Sequence, residues 1–298
     1  MSERVTEHVL LSALSQQRFL ARLEQRAESF DRDALSDVWR AAREAAMRLE
    51  EREAGCADDA AVLPIPAEMA AHIDAVVGLP AIDGAFSRVP VLFGLIELDS
   101  TMASRAVLVD ERLNAMKAAW GTLPDDPALA AACLPLESEP FASPRVSFDG
   151  RCLSILDEDE RFQQIELSVE TGSAALAFEG PGEVHAALRL LVGVPPPVMH
   201  AVRLNDRLLL VDGHHRARIL RAAGATFLPC IVSVCADYDD VLMAAPALGD
   251  LDLDSLFEAP RPPMLRDFGR ASLVHSYRAR RPGRLLQWRI EASAHPLP

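Results

Sequence analysis

The chain has 298 residues, half of them hydrophobic, enough to bury a sizeable core in one elaborate domain or two ordinary ones. Acidic residues outnumber basic ones by 44 to 30, a formal net charge of -14, which excludes general attraction to nucleic acid or anionic membranes and makes any such contact local. The longest apolar runs, Val89 to Leu98 and Leu190 to Val194, fall short of the roughly 20 residues a spanning helix needs. The start of the chain has no small-residue cleavage site behind a hydrophobic stretch, so a cytoplasmic protein without membrane contact is expected. Five scattered cysteines without a Cys-x-x-Cys pair argue against a disulfide framework and a structural zinc site, and read as small core residues. Lysine occurs only at Lys117, which rules out a Gly-Lys-Ser/Thr phosphate loop.

Residues 4–54 carry helical periodicity twice, through Val5, Val9, Ala13, Leu20 and Leu23, then through Leu35, Val38, Trp39, Ala42, Ala46 and Leu49. Asp31 or Asp33 can cap the second helix and Gly55 follows its end. The reading is an antiparallel helical pair within a helical N-terminal region, residues 1–80, serving as a separate lobe, a dimerisation element that would make a homodimer, or a brace on the core. Residues 89–99 suit a buried strand, followed by a loop over 100–108 and a helix over 110–120 with Leu113, Met116 and Trp120 on one face. These open a core assigned to residues 86–240, interrupted by an inserted β segment over about 124–195. Within the insertion the pattern predicts a short helix over 125–134, strands over 145–156, 164–169 and 174–178, and a helix over 183–191 that Pro195, Pro196 and Pro197 must end.

Beyond the prolines, residues 199–204 and 207–211 read as strands joined by the two-residue turn Asn205-Asp206. Asp212-Gly213-His214-His215-Arg216 follows, then a short helix closed by Gly224, and a buried strand over 226–234. The C-terminal extension, 241–298, changes character. Arg261, Arg266, Arg270, Arg278, Arg280, Arg281, Arg284 and Arg289 accompany Tyr277 and Trp288, a composition that fits local nucleic-acid binding or pairing with the acidic body of the same chain.

A strand that turns through glycine into a helix leaves backbone N–H groups unpaired where the helix dipole is positive, and anions bind such places. Gly213 allows close approach of a phosphate, His214 and His215 add donors, and Arg216 offers a planar fork for phosphate oxygens. Asp212 can cap the helix or hold a magnesium ion that accompanies a nucleotide. An Asp-Gly turn with solvated histidines is the plainer alternative.

The string from Leu208 to Arg216, with its helix, Gly224 and the strand after it, resembles the signature region of the ParB/sulfiredoxin superfamily. It is most similar to the free-serine kinase branch, where an Asp-Gly-His-His-Arg motif contacts nucleotide phosphates. Ile96-Glu97-Leu98-Asp99, with the loop and helix behind it, resembles the opening strand and helix of that fold; together these cover about a third of the chain. The resemblance implies an α+β fold built on a mixed sheet with flanking helices. It makes Gly213, His214, His215 and Arg216 phosphate ligands, with Asp212 a ligand or its support, and it implies ADP or ATP, with CTP as a further candidate, and Mg2+ as cofactors. Arg105 stands near the place of that branch's catalytic glutamate, so the base would have to be displaced, to Asp99, Asp110 or Glu111. His214 replaces the sulfiredoxin cysteine, and the Gly-Glu-Arg-Arg motif of ParB-type CTPases is missing. Two function classes stay open: a nucleotide-dependent phosphotransferase acting on a small hydroxyl-bearing molecule, and a noncatalytic nucleotide-regulated or DNA-associated ParB-like factor.

Overall fold

The structure, a computed structural model, describes residues 4–137, 144–157, 163–171, 186–193, 196–248, 251–280 and 284–294. The chain divides into two units, the first of residues 1–138 and 197–281, the second of residues 139–196 and 282–298. In the first unit the chain begins with strand β1 (Arg4–Leu10), helices α1 (Gln16–Arg26) and α2 (Arg32–Glu53), a short strand β2 (Val62–Leu63), and helices α3 (Ala67–Val77) and α4 (Pro80–Phe86). Strands β3 (Val91–Glu97), β4 (Thr101–Ala103) and β5 (Val107–Val109) lead to α5 (Asp110–Ala119) and α6 (Asp126–Cys133). The second unit contributes β6 (Arg145–Phe148), β7 (Cys152–Asp157), β8 (Gln163–Thr171) and β9 (Ala186–Gly193). Back in the first unit come β10 (His200–Leu204), β11 (Arg207–Asp212), α7 (His214–Ala222), β12 (Phe227–Cys235), α8 (Tyr238–Ala244), α9 (Leu253–Phe257) and β13 (Val274–Arg280), and β14 (Arg284–Arg289) closes the second unit.

The architecture is α+β. The first unit is built on a six-stranded mixed sheet of order β2-β3-β12-β10-β11-β4, in which β10 runs parallel to β12 and β4 parallel to β11 while the other neighbours are antiparallel. The sheet is covered on both sides, and this accounts for the nearly unbroken apolar runs of β10 to β12. Ala201, Leu208, Leu210 and Ile231 face the core formed with α3, α6 and α7, while Val202, Leu209 and Cys235 face a second cluster with Val241, Phe257 and Met264. The expected hairpin is present, with Asn205 in the left-handed region at φ 54°. Cys133, Cys230 and Cys235 are buried, and burial pushes the Cys133 and Cys235 thiols up to about 12 and about 11, so they are inert core groups. Among the described residues no single helix is long and apolar enough to cross a membrane.

A second sheet of the first unit, order β13-β1-β5, corrects the expected helix at the start of the chain. Val5, Val9 and Ala13 are spaced by four, which suits a strand's period of two as well as a helix. The residue that decides is Glu7, buried on the same face as Val5 and Val9. Its carboxylate accepts from Tyr277 and is paired with Arg22 and Arg26, and the charged face of α1 supplies the two guanidiniums. The helical pair itself, now α1 and α2, is present, with Asp31 accepting from the amides of Asp33 and Ala34 at the start of α2.

The inserted segment is also narrower and differently made than the pattern predicts. Helix α6 belongs to the first unit, and the second unit takes in residues 282–298 through β14, which pairs with β7 beside β6. Where a helix was expected over 183–191, Ala186–Gly193 is a strand paired antiparallel with β8; cross-strand pairing overrides the helical preference of its leucines and alanines. The strand expected over 174–178 lies outside the described residues.

The C-terminal extension is fastened to α2 by charge. Arg261 donates to both oxygens of Asp267, at 2.9 and 2.6 Å, and to Glu53 at 3.1 and 3.2 Å, while Arg266 and Arg270 reach Glu53 at 2.7 and 2.8 Å. Burial alone would raise the Glu53 carboxyl, but the Arg270 and Arg261 hydrogen bonds outweigh it and hold the group below its ordinary value. Asp267 is fully buried and also accepts from the Met264 amide. Asp267→Ala leaves the Arg261 guanidinium buried with half its partners, so stability to urea should fall by about 3 kcal/mol. An unchanged unfolding midpoint would show that this fastening contributes nothing.

Candidate functional site

Strand β11 ends at Asp212, whose Oδ1 accepts from the Gly213 amide at 2.7 Å. Gly213 then turns the chain into α7 with φ 94° and ψ 10°, a conformation that residues with side chains rarely adopt, and a β-carbon there would collide with the Met199 sulfur. The N-cap Gly213 offers α7 no side-chain cap and its first turn holds no acidic residue, while the Asp212 carboxylate stands on the amide of that N-cap residue.

The side chains of the motif face inward. His214, His215 and Arg216 are 2%, 7% and 8% exposed. Both imidazoles accept hydrogen bonds from backbone: Nε2 of His214 from the Arg105 amide at 3.2 Å, and Nε2 of His215 from the Val109 amide at 3.0 Å. Arg216 donates to the carbonyl of Pro197. The rings and the fork, expected as phosphate ligands, are thus engaged in holding the segment 104–109 and residue 197 against α7. An imidazole that accepts at Nε2 carries its proton at Nδ1. In His214 that donor is buried without a partner among the described residues.

Burial pushes the His214 imidazole well below its ordinary pKa, and Arg105 and then His215 add to the effect. His215 is lowered to about 3 by burial, then by Arg105, Arg112 and His8. Both rings are therefore neutral at physiological pH, as acceptors from backbone amides must be. Arg105, standing where the resemblance places a glutamate, and Arg112 in the first turn of α5 give this end of α7 a cationic surround.

The proposed carboxylates separate. Asp99 forms an ion pair with Arg221 at 2.7 Å, at the opposite end of α7 from Gly213, so the structure does not bring it to the turn. Glu111 is exposed on the first turn of α5, two residues beyond the amide that His215 accepts. Asp110 meets Nε2 of His8 at 2.8 Å. No group of three or more His, Cys, Asp or Glu side chains suited to a metal ion occurs among the described residues.

A cavity of about 910 Å³ in the first unit is walled by Ser12, Arg18, Arg43, Ser104, Asp252 and Glu258 among others. Ser104 connects it to the turn, for its hydroxyl lies 3.5 Å from Nε2 of His214. This cavity and Arg112 have no local sequence signature, since their residues come from helix, loop and C-terminal extension. The arginine-rich extension, by contrast, spends Arg261, Arg266 and Arg270 on Glu53 and Asp267, which favours pairing within the chain over nucleic-acid contact at those positions.

Comparison of the chain with protein-family models, curated proteins and solved structures gives no match.

The neutral histidines fix the sign of an acid response. His200, lowered to about 4 by burial, joins His214 and His215; each has a folded pKa below its unfolded one. Their contribution to stability is complete above the unfolded value, about 6.5, and is lost as pH falls below it towards the folded values. Each contributes a slope of about 1.4 kcal/mol per pH unit in that window. Urea midpoints should therefore drop steeply between about pH 6.5 and 4.5, and His215→Gln should flatten the drop. A wild-type midpoint independent of pH in that window would contradict the neutral, buried imidazoles.

Proposed function

We propose that this chain is a nucleotide-binding protein of the ParB/sulfiredoxin-like type, with the phosphates at the start of α7 and the remainder of the nucleotide in the adjoining cavity. The observation that carries the reading is the position of Ser104, which lines the cavity and whose hydroxyl lies 3.5 Å from the His214 ring of the turn. A volume of about 910 Å³ suits a nucleotide. The uncapped amides after Gly213, the unpartnered Nδ1–H of His214 and the nearby Arg105 and Arg112 together favour an anion over a neutral ligand. Because the rings of His214 and His215 are engaged with backbone, the phosphate is assigned to the amides and the two arginines, with the histidines holding that surface in place.

The activity favoured by this arrangement is phosphoryl transfer to a small hydroxyl-bearing acceptor, with Mg2+ carried in on the nucleotide and lowering the charge on the transferred group. Among the carboxylates, Glu111 is preferred over Asp99 as the source of a base, since α5 packs on α7 and Val109 is bonded to His215, while Asp110 is engaged with His8. Titration calorimetry with ADP, ATP and CTP in the presence of Mg2+ tests the reading, followed by phosphorus NMR with serine and other small alcohols as acceptors. Wild type should bind at least one of the three nucleotides, and Arg105→Ala should weaken that binding by about 1.5 to 3 kcal/mol, the range for a charge-assisted hydrogen bond. Arg105 is the better probe than Arg216, whose removal would strand the carbonyl of Pro197. Failure of all three nucleotides to bind would overturn the proposal.

A further inference from the structure

Three side chains that are remote in sequence form a hydrogen-bonded line on the first unit. The Ser276 hydroxyl lies 2.7 Å from Nδ1 of His8, and Nε2 of the same ring lies 2.8 Å from Oδ1 of Asp110. Each comes from a different element: Ser276 from β13, His8 from β1, and Asp110 from the first turn of α5. The fold fixes them. His8 occupies the central strand of the sheet β13-β1-β5, directly opposite Ser276 on one side and Leu108 on the other, and side chains opposite one another stand on the same face. Two residues past Leu108 the chain enters α5, which packs on β1 and brings the Asp110 carboxylate to the far nitrogen of the ring. Ser276 is solvent-exposed. A carboxylate at Nε2 sets the tautomer, leaving the lone pair of Nδ1 facing the seryl hydroxyl, and this is the relation of orienting group, base and nucleophile that activates serine.

The line adjoins the phosphate turn. Val109, immediately before Asp110, donates its amide to His215, and His8, Arg105 and Arg112 all lie close enough to His215 to act on its ring. The Arg105 and Arg112 guanidiniums suit an anionic electrophile, a phosphoryl group, better than a neutral ester.

We propose that Ser276 is a nucleophile that takes a phosphoryl group, with His8 as its general base and Asp110 as the positioning residue that holds the imidazole. The identity of the donor rests on the reading above, in which a nucleotide is held at α7. Ser276 Oγ bonds to phosphorus while Nδ1 of His8 takes the hydroxyl proton. The bond from that phosphorus to the bridging oxygen of the phosphoanhydride breaks, its electron pair leaves with the shortened nucleotide, and His8 returns the proton to that leaving group or to water. Neither an oxidant nor a further reactant is needed.

Diisopropyl fluorophosphate tests the nucleophile without any nucleotide. On the full chain, mass spectrometry with peptide mapping should find the adduct on Ser276, none at that peptide in Ser276→Ala, and formation slower by about 100-fold in His8→Gln, the usual contribution of a positioned base. Absence of an adduct on Ser276, or equal rates in wild type and in a His8→Gln chain with an unchanged unfolding midpoint, would overturn the proposal. Asp110→Asn is the second variant, expected to slow the reaction without abolishing it. ATP with Mg2+ should then add one phosphoryl group to Ser276. Calorimetry on Ser276→Ala separates the two readings. ATP binding there without phosphorylation of the wild type overturns transfer to Ser276 and leaves nucleotide binding standing. An adduct from the fluorophosphate without any nucleotide binding supports the activated serine and counts against the nucleotide alone.

Discussion

Two hydrogen bonds from backbone to imidazole, Arg105 amide to His214 and Val109 amide to His215, tie the approach to α5 to the start of α7. They join β5 and the segment before it to the start of α7, across an interval of more than 100 residues. An amide donor needs a lone pair on the ring, so the bonds exist only while both imidazoles are neutral. Burial and the neighbouring guanidiniums keep them so. The cationic residues that help enforce neutrality, Arg105 and Arg112, are the ones to which the proposed anion site is assigned. One arrangement thus serves stability and the proposed site together. The Ser276–His8–Asp110 line depends on it as well, because Asp110 is placed by the same segment that Val109 anchors.

Charge works beside apolar packing in closing the first unit at its ends. Glu7, fully buried, gathers Arg22, Arg26 and Tyr277 and so ties β13 and α1 to β1. Burial and the hydrogen bond to Glu7 raise the Tyr277 phenol, keeping it the donor. Glu53 does the same work for Arg261, Arg266 and Arg270 at the end of α2. Buried ionic clusters of this kind add little net stability over an apolar core, but removing one partner is costly. The acidic excess of the chain is therefore partly consumed inside the fold, where it fixes the C-terminal extension against the N-terminal elements.

What could be read from the sequence follows from how local each signal is. The hairpin, Gly213, α7 and β12 were legible because turn chemistry, a glycine at each end of the helix and continuous apolar strands all act within a few residues. Strand β1 was not, because a spacing of four satisfies two periods and the buried Glu7 finds its partners only after folding, Tyr277 270 residues away. Strand β9 takes its conformation from β8 and not from its own preferences. At the site, the residue types at the start of α7 were legible while the direction of their side chains was not: the motif that suggests ligands places its rings against backbone amides. Asp99 looked suitable by proximity to the opening strand, yet α7 is long enough to carry its partner Arg221 away from the turn. The Ser276–His8–Asp110 line has no sequence spacing at all and is a product of strand register and of the packing of α5 on β1.

The protonation of His214 and His215 is the quantity on which this account turns most directly. Nitrogen NMR of the imidazoles, assigned through single His→Gln variants and followed from neutral to mildly acidic pH, reads it without reference to any ligand. The account predicts that both rings stay neutral, with the proton on Nδ1 and Nε2 as acceptor, across the whole range in which exposed histidines become charged. Titration of either ring near the ordinary histidine value, or a proton found on Nε2, would contradict it.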